Sequence, residues 1–258
     1  MFPALELGPL VIPTGVFALL LGGWLALSVV ERAAPRVGGV PAHLYALATA
    51  MIVAGIIGAR LSFVFLHWDA FRENLLGIVW PLNSGYELWG GLLFALAAAW
   101  LQMRRDQLAL GTVLDGLLPG LLTMLVFVSL SDFLGGSGYG VETTMPWGLR
   151  LFDLPVKRHP VQLYEVLVGL AALGSWFYLV RGRTRLPAGA NYTRNSILIP
   201  SAIYAGGRLF VEAFRANSVV VGDGWRVVQL LCLAVLAAAL WLYAAAAPAG
   251  SENGVKAG

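Results

Sequence analysis

The stretch IYAGGRLFVEAFR, residues 203–215, lies in an otherwise apolar run that begins near Ile197. It sets Arg208 and Glu212 at the depth where a membrane helix is normally hydrocarbon. A charged side chain near the bilayer centre costs about 2.5–3.5 kcal/mol even on the mildest insertion scale. The two residues are four apart, so they share one helix face and can neutralise each other. Read blandly, they are an ion pair that locks one helix against its neighbours. Read functionally, they line a polar interior.

Whether there is a membrane at all follows from composition. Hydrophobic residues make up 59% of the 258-residue chain and charged residues 12%, with a mean hydropathy of +0.77. Soluble domains carry roughly 25% charged residues, so this surface cannot be made hydrophilic. The chain reads as an all-α integral membrane protein, with no nucleic-acid partner despite its net charge of +3. Its cations fall mostly between apolar runs, where they determine topology. Cys232 is the single cysteine and reads as a buried, inert thiol. His43, His67 and His159 are far apart, and no metal-binding spacing or cofactor motif is present. The opening MFPALELGPLVIP lacks a basic region, so no cleavable signal peptide is expected.

A span needs about 20 mainly apolar residues. That rule predicts a bundle of about seven transmembrane helices, at roughly 10–31, 43–66, 86–103, 108–134, 160–180, 196–215 and 226–247. The stretch RENLLGIVWPLNSG (72–85) is too short and broken to span and reads as an interfacial loop or short surface helix. The basic clusters MRRD (103–106) and VRGRTR (180–185) orient the chain with its N-terminus outside and its C-terminus cytoplasmic. The loop GGSGYGVETTMPWGLRLFDLPVKRH, about 135–159, then forms a small extracytoplasmic head or lid. Residues 1–247 make a single transmembrane domain, and 248–258 a disordered cytoplasmic tail. No inverted repeat is visible, which argues against a small-solute transporter.

Arg60, Asp115, Asp132, Glu165, Arg208 and Glu212 are the ionisable residues at membrane depth. Arg60, in GIIGARLSFVF, has no carboxylate one turn away on its own helix, so its partner comes from another segment or a ligand. RHPVQLYEV (158–166) puts Gln162, Tyr164 and Glu165 at the outer mouth of the fifth segment, with Pro160 at a helix start. An interior holding two arginines suits an anion, and the planar guanidinium fork matches phosphate. In a membrane the obvious anion is a phospholipid headgroup. Trp147 suits the headgroup belt.

GARLSFVF, the GGLL of ELWGGLL, DGLLPG, MPWGL, RHPVQLYE and GGRLFVEAFR together resemble, in order, the landmarks of the prolipoprotein diacylglyceryl transferases. The resemblance covers roughly residues 50–245. It implies a bacterial inner-membrane enzyme that moves the diacylglyceryl group of phosphatidylglycerol onto the lipobox cysteine thiol of a preprolipoprotein. Glycerol phosphate is the leaving group. It further implies that Arg208 is the essential arginine and Glu212 its partner, the two catalytic residues. Arg60, Asp132, Trp147, Gln162, Tyr164 and Glu165 are then the substrate-binding residues.

The chain departs from the family's pattern in two places. The signature Gly-Arg-x-Gly-Asn-Phe-x-Asn-Gly-Glu reads VSLSDFLGGS at 128–137. Ser129 stands where the arginine belongs, Asp132 and Gly135 where the asparagines belong, and Ser137 where the glutamate belongs. Trp89 stands where the family usually has the histidine of His-Gly-Gly. Two readings stay open. A divergent transferase recruits Arg60, Arg150 or Arg158 in place of the lost cation. Alternatively, a catalytically inactive relative serves as a phospholipid-binding or accessory subunit of a larger membrane complex.

Overall fold

The computed structural model describes residues 4–7, 10–73, 75–79, 85–150, 156–182 and 194–245. Apolar sequence in helical form satisfies its own backbone hydrogen bonds, which is the condition for crossing a bilayer. The long helices are α1 (Thr14–Ala33) and α2 (Pro41–Leu66) and, after the single turns α3 (Trp68–Phe71) and α4 (Leu76–Val79), α5 (Leu88–Arg105), α6 (Leu110–Gly135), α7 (Val161–Val180), α8 (Asn195–Glu212) and α9 (Val227–Ala245). They stand at the seven expected positions.

Five of the seven are long and apolar enough to cross a membrane: α1 with the turn after it, α2, α6, α7 and α9. Helices α5 and α8 have 18 residues each but are more polar. α5 ends in Arg104 and Arg105, and α8 carries Arg208 and Glu212. The helix that decides the reading of the sequence is therefore one that a purely apolar criterion passes over.

Two boundaries differ from expectation. The first run is not helical from residue 10: Ala4–Leu7 (β1) pairs antiparallel with Leu10–Pro13 (β2), Ala4 opposite Pro13, and α1 begins at Thr14. Val11 and Ile12 are β-branched, and the residue before a proline avoids the helical region. At the other end, α8 stops at Glu212 rather than 215. Shorter turns follow, with the Ala213 N–H donating to Phe210 O, Phe214 to Val211 O and Arg215 to Glu212 O. A second small hairpin, β3 (Val220–Val221) with β4 (Trp225–Arg226), leads into α9.

The chain divides into two compact units: residues 1–23, 122–182 and 193–258 form one, residues 24–121 and 183–192 the other. In the first, α8 packs against both α7 and α9. Gly207 lets α8 approach α7, since a Cβ there would come within 2.6 Å of Val168. Val161, Ala172, Trp176 and Val180 of α7 are fully buried. In the second unit α2 runs along α5. A Cβ on Gly58 would meet the Phe94 side chain at 2.4 Å, and one on Gly91 would lie 2.9 Å from Gly55 O. Small residues at such crossings let helices approach closely where no hydrophobic force drives them together.

In the head segment, main-chain bridges join Glu142 to Arg158, Leu149 to Arg158, and Gly140 to Arg215 beyond α8. The last of these ties the head segment to the end of the charged helix. Of the expected head loop, residues 151–155 lie outside the described residues, as do Trp80 and Pro81 of the surface stretch and the whole 248–258 tail.

Candidate functional site

The stretch 203–215 supplies three charged groups to one place. Arg208 and Glu212 lie one turn apart on α8, and the tight turn after the helix returns Arg215 to the same face. Arg208 Nη1 is 2.6 Å from Glu212 Oε2 and 3.1 Å from Glu165 Oε1 on α7. Arg215 Nη2 donates to that same Glu165 oxygen at 2.6 Å. Ser129 Oγ, from α6, donates to the other carboxylate oxygen, Glu165 Oε2, at 3.0 Å. Two guanidinium groups thus converge on one carboxylate oxygen.

All of these groups are withdrawn from solvent. The Glu212 side chain is 0% exposed and that of Glu165 5%, while both arginines are at 14%. Charges removed from water at this depth persist only when paired. The pairing is not saturated. Glu212 Oε1 and Arg215 Nε have no hydrogen-bond partner among the described residues, and Arg215 Nε is 3.9 Å from Glu212 Oε2. Arg226 donates to the main-chain carbonyl of Glu212 and fixes the helix end. Asp132 of α6 and Tyr204 of α8 lie within electrostatic range of Glu165, Arg208 and Arg215. Cys232 of α9 lies within range of Arg208 and Glu212.

The remaining sequence-predicted residues serve the surroundings. Gln162, fully buried, donates through Nε2 to Ser137 O at 3.0 Å and also to Gly138 O. It pins the segment that replaces the family signature. Gly138 there has φ +67°, and a Cβ on it would stand 3.0 Å from Arg215 Nη1. Trp147 Nε1 donates to Tyr164 Oη at 2.8 Å, and His159 Nδ1 lies 3.1 Å from the same hydroxyl. Phe214 packs at 5.0 Å against the His159 ring, binding this aromatic group to the turn that carries Arg215.

Arg60 belongs to the second unit. Its Nε donates to Ile78 O and its Nη1 to Gly85 O, both at 3.0 Å, and its Nη2 to Gly77 O. The guanidinium also lies over the rings of Phe71 and Tyr86. The partner that its own helix lacks is supplied by the segment after α2. Trp89 lines an apolar groove of about 800 Å³ in the same unit, with Leu61, Phe65, Ile78 and Phe94.

Of the cations expected to replace the arginine missing at 129, Arg158 pairs with Glu142 at 3.2 Å and with Gly140 O. Arg150 lines a cavity of the head segment with Thr143 and Lys157. The cation found beside Glu165 is Arg215, which the sequence reading passed over. Its signal was the spacing 208, 212, 215, which is i, i+4, i+7 on a helical face. Among the described residues no cluster of His, Cys, Asp and Glu could hold a metal ion.

Apolar helices, one unit of which holds a largely buried arginine–glutamate cluster, define a multi-pass membrane protein. The family model described as prolipoprotein diacylglyceryl transferase matches residues 3–245, and the chain belongs to that family. Among curated relatives, a phosphatidylglycerol–prolipoprotein diacylglyceryl transferase of Solidesulfovibrio magneticus is 31% identical over 257 residues, covering 95% of this chain and 94% of its own. One of the same name from Nitratidesulfovibrio vulgaris is 30% identical over 233 residues, 88% and 85%. A third, from Gloeobacter violaceus, is 29% identical over 255 residues, 91% and 92%.

Proposed function

We propose that this chain is a phosphatidylglycerol–prolipoprotein diacylglyceryl transferase of the bacterial inner membrane. It moves the diacylglyceryl group from phosphatidylglycerol to a cysteine thiol of a prolipoprotein. The observation that carries the reading is Arg208, a largely buried cation held between carboxylates of two helices in a chain that matches the family over nearly its whole length.

The chemistry follows from what must be balanced. The sulfur forms a bond to the glyceryl carbon, the carbon–oxygen bond to phosphate breaks, and its electron pair stays on the phosphate oxygen. The phosphate gains a unit of negative charge, and the thiol loses a proton. Arg208 stabilises the growing charge; fixed donors aimed at developing charge in a water-poor site are a large source of rate. Glu212 Oε1, buried and without a donor among the described residues, takes the thiol proton, a role open because Trp89 stands where the family has histidine. Glu165 orients Arg208, Gln162 holds the loop over the site, and Trp147 with Tyr164 forms its headward wall. Asp132 adds a carboxylate to the cluster's field and favours whichever species leaves it cationic.

The N-terminus lies outside and the C-terminus in the cytoplasm. Cysteines introduced for Glu31 and Gln107, on a Cys232→Ala background, are expected to resist an impermeant reagent applied from outside, and one for Thr144 to react. The reverse pattern would invert the topology. The function itself is tested with the purified chain, phosphatidylglycerol vesicles and a lipobox peptide. The expected result is a thioether-linked diacylglyceryl adduct by mass spectrometry; no adduct at saturating lipid would sink the transferase reading.

A further inference from the structure

We propose that the head segment carries a docking site for the phosphate of an anionic outer-leaflet phospholipid, built on Arg150 and Lys157. The site lies apart from the transfer reaction: it uses no residue of the buried arginine–glutamate cluster and needs no turnover.

The main chain sets the two cations side by side. The Leu149 N–H donates to Arg158 O at 3.0 Å and the Arg158 N–H to Leu149 O at 2.9 Å. These residues therefore oppose each other across an antiparallel pair, and Arg150 stands opposite Lys157 at the next position. Like charges directly opposite are destabilising. Both side chains are exposed, and among the described residues neither is held in an ion pair. Both line a cavity of about 660 Å³ with Glu142, Thr143, Thr144 and Val156. Glu142, the carboxylate of that lining, is already met by Arg158 Nη2 at 3.2 Å. The cavity is left with two cations that face no described anion, and the two threonines add hydroxyl donors. A guanidinium fork beside an ammonium point charge suits a phosphate.

Position selects a lipid over a soluble anion. Lys157 is four residues before Val161, where α7 begins, so no more than about 14 Å of extended chain separates them. The headgroup region adds roughly 5–8 Å to each side of the hydrocarbon core, and a long basic side chain spans the remainder with its charge in the interface. Trp147 fixes the height independently. Its Nε1 donates to Tyr164 Oη, on the first turn of α7, at 2.8 Å, and tryptophan and tyrosine sit at headgroup level. The Trp147 side chain is nevertheless 55% exposed, and Met145 beside it 46%. An exposed apolar tip next to two unpaired cations fits a surface that enters the interface of an anionic leaflet. A soluble phosphate would use the cations and leave the tip without a partner.

The test uses the full chain in micelles holding equal amounts of dioleoylphosphatidylglycerol and dioleoylphosphatidylcholine, with retained lipids counted by native mass spectrometry. A micelle reaches both faces of the protein, so the orientation of the chain does not enter. The native chain is expected to retain one phosphatidylglycerol more than Arg150→Gln/Lys157→Gln. Affinity for that lipid should fall about 5-fold for each cation and about 30-fold for both, the scale for basic side chains near an anionic lipid surface. Exchanging the two, Arg150→Lys with Lys157→Arg, should preserve retention. In vesicles poor in phosphatidylglycerol, the double glutamine variant should raise KM and leave kcat unchanged. A native chain that shows the extra lipid but forms no adduct loses the transferase reading and keeps the docking site. The proposal falls if the double variant retains as much phosphatidylglycerol as the native chain, or if the native head holds phosphatidylcholine equally well. It falls as well if sn-glycerol 1-phosphate binds the head as tightly as the lipid does, which would make this a site for soluble phosphate. Loss of binding to an acidic peptide, with lipid retention intact, would make it a peptide site and overturn the proposal too. Should the double variant fail to fold, Lys157→Gln alone, which keeps the main-chain bond from Thr143, should show the 5-fold loss; native retention there overturns the proposal.

Discussion

Arg60 and Arg208 both lie in long helices and are largely withdrawn from solvent, yet the partners described for each differ in kind. Among the described residues, Arg60 donates to the main-chain carbonyls of Gly77, Ile78 and Gly85. Arg208 is met by the carboxylates of Glu165 and Glu212. A main-chain carbonyl cannot leave without unravelling its segment, so an arginine bound to three of them is a staple. A side-chain carboxylate can rotate away and be replaced by another anion, so an arginine bound to one is a seat that a substrate can take. Under the proposed function, the exchangeability of the partner, more than burial, is what distinguishes Arg208 from Arg60.

The largest effect is expected from Arg208→Ala. Glu165 retains Arg215 and Ser129, while the buried Glu212 carboxylate keeps, among the described residues, only Arg215 Nε at 3.9 Å, so a lower melting temperature is expected and transfer is measured on the folded, monodisperse fraction. Transfer is expected to fall by at least about 10²-fold, the scale for losing one preorganised donor to developing charge. Adduct formation surviving at the native rate in a monodisperse Arg208→Ala preparation would move the chemistry to other residues.

Arg60→Met tests the opposite arm and should act on stability. Hydrogen bonds to a charged group are worth about 1.5–3 kcal/mol each, and three are lost together with the contacts to Phe71 and Tyr86. The expected outcome is a lower melting temperature and faster proteolysis within residues 72–87, with the kcat of the surviving folded fraction unchanged. A folded Arg60→Met chain with a raised KM for phosphatidylglycerol would make Arg60 the substrate-binding residue that the sequence suggested, and the contrast between staple and seat would collapse.

How much of this was legible beforehand divides along the same line. The seven helix positions were readable because apolar length is a local property, and α2 and α7 fall within two residues of their expected starts. The β1–β2 hairpin was not, since Leu10–Pro13 is as apolar as the helix it precedes and only pairing with Ala4–Leu7 makes it a strand. Within the site, Arg208 with Glu212 was visible from spacing on one helix. Glu165 was visible as an ionisable residue at membrane depth, but its convergence with both arginines depends on how α7 packs on α8 and could not be read. Arg215 was hidden by its position: three residues past the helix end it looks like a topology-setting cation, and only the tight turn at 213–215 brings it back. Ser129 looked like a loss and is instead a hydrogen-bond donor to Glu165.

Gly138→Ala is the mildest probe and separates two roles within the seat. At φ +67° an alanine is strained, typically by about 1–2 kcal/mol, whether or not Arg215 is involved. The added Cβ also stands 3.0 Å from Arg215 Nη1, so the guanidinium must give by a few tenths of an ångström. The first effect belongs to the fold and appears as a lower melting temperature. The second belongs to the seat, since Arg215 shares Glu165 Oε1 with Arg208, and appears as weaker glycerol 1-phosphate binding and a reduced kcat, smaller than the loss in Arg208→Ala. Combining Gly138→Ala with Arg215→Gln tells them apart, since coupling energies arise only between residues that share a contact. In an Arg215→Gln background the stability loss from Gly138→Ala should persist while its further loss of binding disappears. If both losses persist undiminished, Gly138 acts through the main-chain carbonyl that Gln162 holds, and the room it leaves beside Arg215 has no part in anion binding.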